Sequence, residues 1–152
     1  MEDLHVVIFR LNNELCGAET SQVTEILKYQ EAEKVPKMPR FLDGLINLRG
    51  RIIPVINLNK RFELGETDIT KKTKIIITQI NDGYLGYIVN DVTEIVRFTK
   101  DELELTPEII NKTGNTYMKY VGKKGEKIVS ILDLKGILSD KETVRLKTVS
   151  KN

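Results

Sequence analysis

The chain is short of the residues that carry most enzyme chemistry. Of its 152 residues one is cysteine, one is histidine and none is tryptophan. A lone cysteine, Cys16, closes no internal disulfide and suits a reducing compartment. A lone histidine, His5, has no second imidazole and no nearby thiol, which excludes zinc fingers and multi-histidine metal sites. Long apolar runs are missing too: none approaches the roughly 18 residues that cross a bilayer. Met1 is followed by Glu2 and Asp3 rather than by a basic and then apolar leader, so a cytoplasmic location is expected. Charge of one sign is also lacking. The 24 Lys and Arg nearly balance 22 Asp and Glu, for a net charge of +2. That balance argues against a nucleic-acid binder working through a basic face.

Alanine, the best helix former, occurs only as Ala18 and Ala32, whereas isoleucine and valine supply 18 and 12 residues. β-Branched side chains are stiff at χ1 and sit best on a pleated sheet. A mainly β fold with a few short helices is expected.

The chain also repeats itself. Moved by 69 positions, Val6–Leu27 falls on Ile75–Val96: Asn12 meets Asn81, Gly17 meets Gly86, and Val23-Thr24-Glu25-Ile26 meets Val92-Thr93-Glu94-Ile95. Moved by 76, Ile52–Leu58 falls on Ile128–Leu134. Asn12-Asn13 and Asn81-Asp82-Gly83 supply residues that tolerate positive φ, as tight hairpins require. Asn57 and Asp133 stand where helix N-caps belong. The growth of the offset places a longer connection in the second half, around Asp101–Thr116, where Pro107, Asn111, Gly114 and Asn115 mark turns. One domain over residues 1–152 is expected, with similar β halves at roughly 4–65 and 73–140 and a polar tail at 141–152.

No catalytic set assembles. Cys16 falls on Leu85 in the repeat, which makes it a packing position rather than a nucleophile. Asp101-Glu102-Leu103-Glu104 reads as a solvated face, and Gly122-Lys123-Lys124-Gly125 as a hairpin turn rather than a phosphate loop. Arg49-Gly50-Arg51 lies between two strand-like stretches and so belongs to a turn. Arg49 has three open roles there: capping the turn, pairing with a carboxylate such as Glu25, or contacting another protein. Pro54, inside the second stretch, implies an edge strand or a bulge, because proline donates nothing to a ladder.

Pro39-Arg40-Phe41-Leu42-Asp43-Gly44-Leu45-Ile46-Asn47-Leu48-Arg49-Gly50, continued by Ile52-Ile53-Pro54-Val55-Ile56, resembles the signature of the bacterial chemotaxis coupling proteins, the CheW family. Val23–Ile26, Leu85–Val89 and Ile128–Leu134 agree with it, so the resemblance spans about residues 4–140. It departs at three places. Asn57 and Asn90 stand where Asp is usual, and Asn59 where Arg is common.

The resemblance implies two packed five-stranded SH3-like β-barrels and a non-catalytic adaptor without cofactor or metal. Its implied partners are the regulatory domain of the histidine kinase CheA and the helical cytoplasmic tip of transmembrane chemoreceptors. It implies an apolar groove between the barrels, with Val23 and Ile26 from the first half and Ile88 and Val89 from the second. It further implies a coupling arginine, Arg49, in a turn set by Leu48 and Gly50. A small-barrel nucleic-acid-binding module is the rival, and it would need a basic groove with aromatic platforms. Five Tyr and four Phe are few and scattered.

Overall fold

Val6, Val7, Ile8 and Phe9 are all buried, because strand β1 (Leu4–Leu11) is covered on both faces. The chain, in a computed structural model that describes residues 2–107, 117–139 and 142, forms two mixed sheets. β1 and β2 (Glu14–Glu19) are followed by β3 (Glu25–Lys28), β4 (Leu42–Leu48), β5 (Arg51–Asn57) and a single helical turn, α1 (Leu58–Arg61). Then come β6 (Lys74–Ile80), β7 (Gly83–Val89), β8 (Asp91–Phe98), β9 (Leu103–Leu105), β10 (Met118–Lys124) and β11 (Lys127–Leu132).

One sheet runs β8-β1-β2-β11-β10-β9 and the other β3-β6-β7-β5-β4. Each covers an apolar filling of its own. Val6, Ile8, Phe98, Val129 and Ile131 fill the six-stranded sheet; Ile46, Ile53, Val55, Ile75, Ile77 and Ile88 fill the five-stranded one. A third cluster belongs to both and forms the seam between them: Phe9, Leu11, Cys16 and Ala18 from one side meet Ile56, Ile76, Leu85, Tyr87 and Val89 from the other.

The offset of 69 reappears as hydrogen-bond register. Ile8 faces Gly17 and Ile77 faces Gly86; the turn residues Asn12 and Asn81 both have φ 52°. At the offset of 76, Leu48–Arg51 corresponds to Lys124–Lys127, and the parallel pair Val55–Gly86 to Ile131–Gly17. Yet repeat and sheet are cut differently. β3 pairs with β6 and β8 with β1, so each sheet takes strands from both copies of the repeat. The chain passes between the sheets only twice among the described residues, at 20–24 and at Asn90.

The mainly β class and the five strands of one sheet are as expected, but the sixth strand of the other and the lack of closure are not. The six-stranded sheet has β9, whose counterpart in the other sheet shrinks to a single bridge, Glu33–Leu45. Among the described residues neither sheet hydrogen-bonds its first strand to its last, so these are curled open sheets rather than closed five-stranded barrels. Pro54 lies on neither an edge nor a bulge of its own strand. β5 is internal, and its parallel ladder to β7 begins one residue later, at Val55, so the missing donor falls where no ladder needs it. Asn57 and Asp133 act as caps, accepting from the backbone N–H of Lys60 and Lys135 at 3.1 Å each. The longer second connection lies between Glu104 and Val121, 17 positions against 12 from Glu33 to Leu45. Asn111, Gly114 and Asn115, and the tail at 141–152 apart from Glu142, lie outside the described residues.

Candidate functional site

The turn joining β4 to β5 has two residues, Arg49 at φ 51° and Gly50 at φ 87°. Positive φ at both central positions matches the right-handed twist of the flanking strands. Glycine adopts that conformation without strain, and Asn47 helps hold it by accepting the Gly50 N–H on Oδ1 at 2.9 Å. Leu48, half-buried, packs on the filling of the five-stranded sheet and anchors the base of the turn.

Arg49 reaches from this turn to Glu25 on β3. Its Nη2 donates to Oε1 at 2.5 Å and its Nη1 to Oε2 at 3.3 Å. Of the three roles open to Arg49, the ion pair is therefore made. β3 and β4 are the two edges of the five-stranded sheet, so the pair bridges those edges where no backbone ladder does. The Arg49 hydrogen bonds hold the Glu25 carboxyl below its ordinary value, and Glu25 in turn raises Arg49. The arginine side chain stays 69% exposed, so one face of the guanidinium is free to solvent. Behind the pair lies a cavity of about 260 Å³ lined by Thr24, Leu48, Ile53 and Tyr84, with Arg51 stacked 4.8 Å over the Tyr84 ring.

Ile26 follows Glu25 and faces the opposite side of β3, beside Ile76 of the seam cluster, with 38% of its surface exposed. Val23, at the end of the crossover, packs partly buried against the same cluster. β3 thus carries Ile26 at the seam rim and joins it to the arginine turn through Glu25.

Ile88 and Val89 do not line this surface. They are 1% and 0% exposed, because β7 is flanked by β6 and β5 and covered on both faces. Ile88 belongs to the filling of its own sheet and Val89 to the seam core. The surface positions are Val92 and Ile95, which the offset of 69 had already placed under Val23 and Ile26. Val92 packs partly buried on the seam cluster, and Ile95 is 65% exposed on β8. Val23 and Ile26 on one side, with Val92 and Ile95 on the other, give the seam two matching apolar rims.

The arginine cavity also has a twin under the six-stranded sheet. Thr24, Glu25, Leu48 and Ile53 are answered by Thr93, Glu94, Lys124 and Val129 around a cavity of about 390 Å³. Gly125 takes the place of Arg49, and Lys124 turns away to both oxygens of Glu102 at 2.7 Å. The two ends share a template but differ in charge.

The polar interior serves structure. Cys16 is buried and its thiol is pushed up to about 12 by desolvation and by Glu14, which removes the thiolate needed for nucleophilic chemistry. Among the described residues no three His, Cys, Asp or Glu side chains gather to hold a metal. Asn57, Asn59 and Asn90, the three departures from the family pattern, lie in one network. Asn59 Nδ2 donates to Asn90 Oδ1 at 2.9 Å and to Thr67 Oγ1 at 2.7 Å, and Thr67 donates to Asn57 Oδ1 at 3.1 Å.

Comparison with known proteins agrees with this architecture. The family described as a CheW-like domain matches residues 5–142. A chemotaxis protein CheW of Bacillus subtilis is 33% identical over 91% of this chain and 88% of its own length. Its namesake in Treponema pallidum is 31% identical over 95% and 88%. The crystal structure of the scaffolding protein TtCheW from Thermoanaerobacter tengcongensis superposes with a TM-score of 0.81 at 32% identity, covering 93% of this chain and 96% of that one. Among the described residues no helix is long and apolar enough to cross a membrane.

Proposed function

The chain belongs to the CheW family, and from that premise we propose that it is a non-catalytic adaptor of chemotaxis, coupling transmembrane chemoreceptors to the histidine kinase CheA. It works in the cytoplasm and reaches the membrane arrays through its partners. The helical cytoplasmic tip of a chemoreceptor lies along the seam, its apolar face on Val23, Ile26, Val92 and Ile95. An amphipathic helix in an apolar groove is a recurrent mode of peptide recognition. The Leu48-Arg49-Gly50 turn meets the regulatory domain of CheA with the exposed face of the arginine.

The observation that carries this function is the pair of matching rims flanking one shared seam. Contacts of this size are weak singly, and an array multiplies them through effective concentration. The adaptor changes kinase output to the extent that it binds the active and inactive kinase differently. Pulldown with a receptor tip fragment and a CheA regulatory fragment tests both contacts: retention of both is expected, and retention of neither at tens of micromolar would overturn the assignment. The nucleic-acid rival gains no support: its stacking platforms would have to be exposed aromatics, and of the nine here three are buried and six half-buried.

A further inference from the structure

Each of the two crossovers between the sheets is held by one amide residue, Gln22 or Asn90, that bonds to both sheets. At the first, Gln22 uses both ends of its carboxamide: Nε2 donates to Asp133 Oδ1 at 2.6 Å, and Oε1 accepts the Leu134 N–H at 2.8 Å. Asp133 and Leu134 follow β11 of the six-stranded sheet. The Gln22 backbone carbonyl accepts from the buried Thr78 hydroxyl at 2.6 Å, on β6 of the five-stranded sheet. At the second crossover, Asn90 Oδ1 accepts the Asn12 N–H at 2.7 Å, from the β1–β2 turn, and Asn59 Nδ2 at 2.9 Å, from the turn after β5. The Asn90 N–H donates to the Arg10 carbonyl at 2.9 Å. Asn59 acts purely as a donor here, for its own Oδ1 is buried without a partner.

Val23 follows Gln22 directly, and Val92 stands two residues after Asn90. These valines are the parts of the rims that rest on the seam core. On the adaptor reading above, we infer that Gln22 and Asn90 are positioning residues that fix the spacing of the two rims and so pre-form the groove for its helix. They touch no partner. A groove held in its bound shape spares the partner the ordering cost that a loose one imposes on association. Both clamps are built from neutral amides apart from Asp133, and both lie where the backbone passes from one sheet to the other.

The test is calorimetric titration of the full chain and its variants with a chemoreceptor tip fragment, and separately with a CheA regulatory fragment. Gln22→Leu removes both carboxamide bonds at similar volume, and Asn90→Ala removes those of the second crossover. Each should weaken the tip fragment by roughly fivefold, the worth of one or two net hydrogen bonds, and leave the CheA fragment within about twofold of wild type. Asp133→Asn keeps the Oδ1 acceptor and should bind the tip fragment like wild type, whereas Asp133→Ala, which loses one of the two carboxamide bonds, should weaken it in the same direction and by less than Gln22→Leu; this pair decides the matter should Gln22→Leu fail to fold. Clamp variants that bind the tip as wild type does, or that lose both fragments equally, overturn the inference. A wild-type chain that binds no tip fragment overturns the adaptor reading beneath it.

Discussion

Arg49 and Glu25 join the two edges of the five-stranded sheet through a guanidinium–carboxylate pair with contacts of 2.5 and 3.3 Å. The pair sits at the surface, where ion pairs add little to stability and salt screens them. Arg49→Ala should therefore leave the thermal midpoint near that of wild type while weakening capture of the CheA fragment. The reversal Glu25→Arg with Arg49→Glu restores the bridge between the edges but removes the cation that faces the partner, so the midpoint should again stay near wild type and capture should stay weak. Recovery of capture would make Arg49 a latch and nothing more.

Acid should act on the same pair with a definite sign. Glu25 titrates below its ordinary 4.5 in the folded chain, so its contribution is present above that value and is lost as pH falls through the lower folded one. Midpoints of wild type and Glu25→Gln should converge only in acid more extreme than pH 4.5, most visibly at low salt. Convergence already at pH 6 would contradict the pairing.

The groove assignment separates surface from core within a few residues of chain. Ile95→Asp, at a 65% exposed position, should fold as wild type does and bind the receptor tip poorly. Val23→Asp should also lose the tip, with a lowered midpoint because Val23 touches the seam core. Ile88→Ala should instead cost about 2–5 kcal/mol, since it empties a filled interior. Denaturant titration checks the three; an Ile88→Ala chain as stable as wild type would put Ile88 outside the filling.

The repeat was legible because register is set by turn spacing, and Asn12 and Asn81 sit at equivalent turns. Which strands share a sheet was not legible. Spacing along a chain does not say that β3 will leave its own copy and pair with β6. Ile88 and Val89 were groove positions only by resemblance; on β7, flanked by β6 and β5, both are buried, which their spacing along the chain does not show. Val92 and Ile95, aligned with Val23 and Ile26 by the offset of 69, are partly buried on the seam and exposed on β8. Arg49 lies in its turn as expected, and Glu25, 24 positions away and named among its three open roles, is its partner; the curl of the sheet is what chooses that role over the other two.

Gly17 and Gly86, matched across the repeat, lie where a parallel strand meets an antiparallel hairpin. A Cβ on Gly86 would come within 2.9 Å of Ile75 Cγ2, and one on Gly17 would press harder still on Val6. Gly17→Ala should cost about 1–3 kcal/mol through overpacking, and more than Gly86→Ala. Equal stability of both variants and wild type would show that these contacts relax freely.

The most direct test of the adaptor role is co-sedimentation of the purified chain with receptor-containing membranes, with and without CheA. A non-catalytic coupler should sediment with the receptors and carry CheA with it, in amounts that fall together in Ile95→Asp. CheA that sediments equally well without this chain, or a chain that stays in the supernatant with both partners present, would contradict the account.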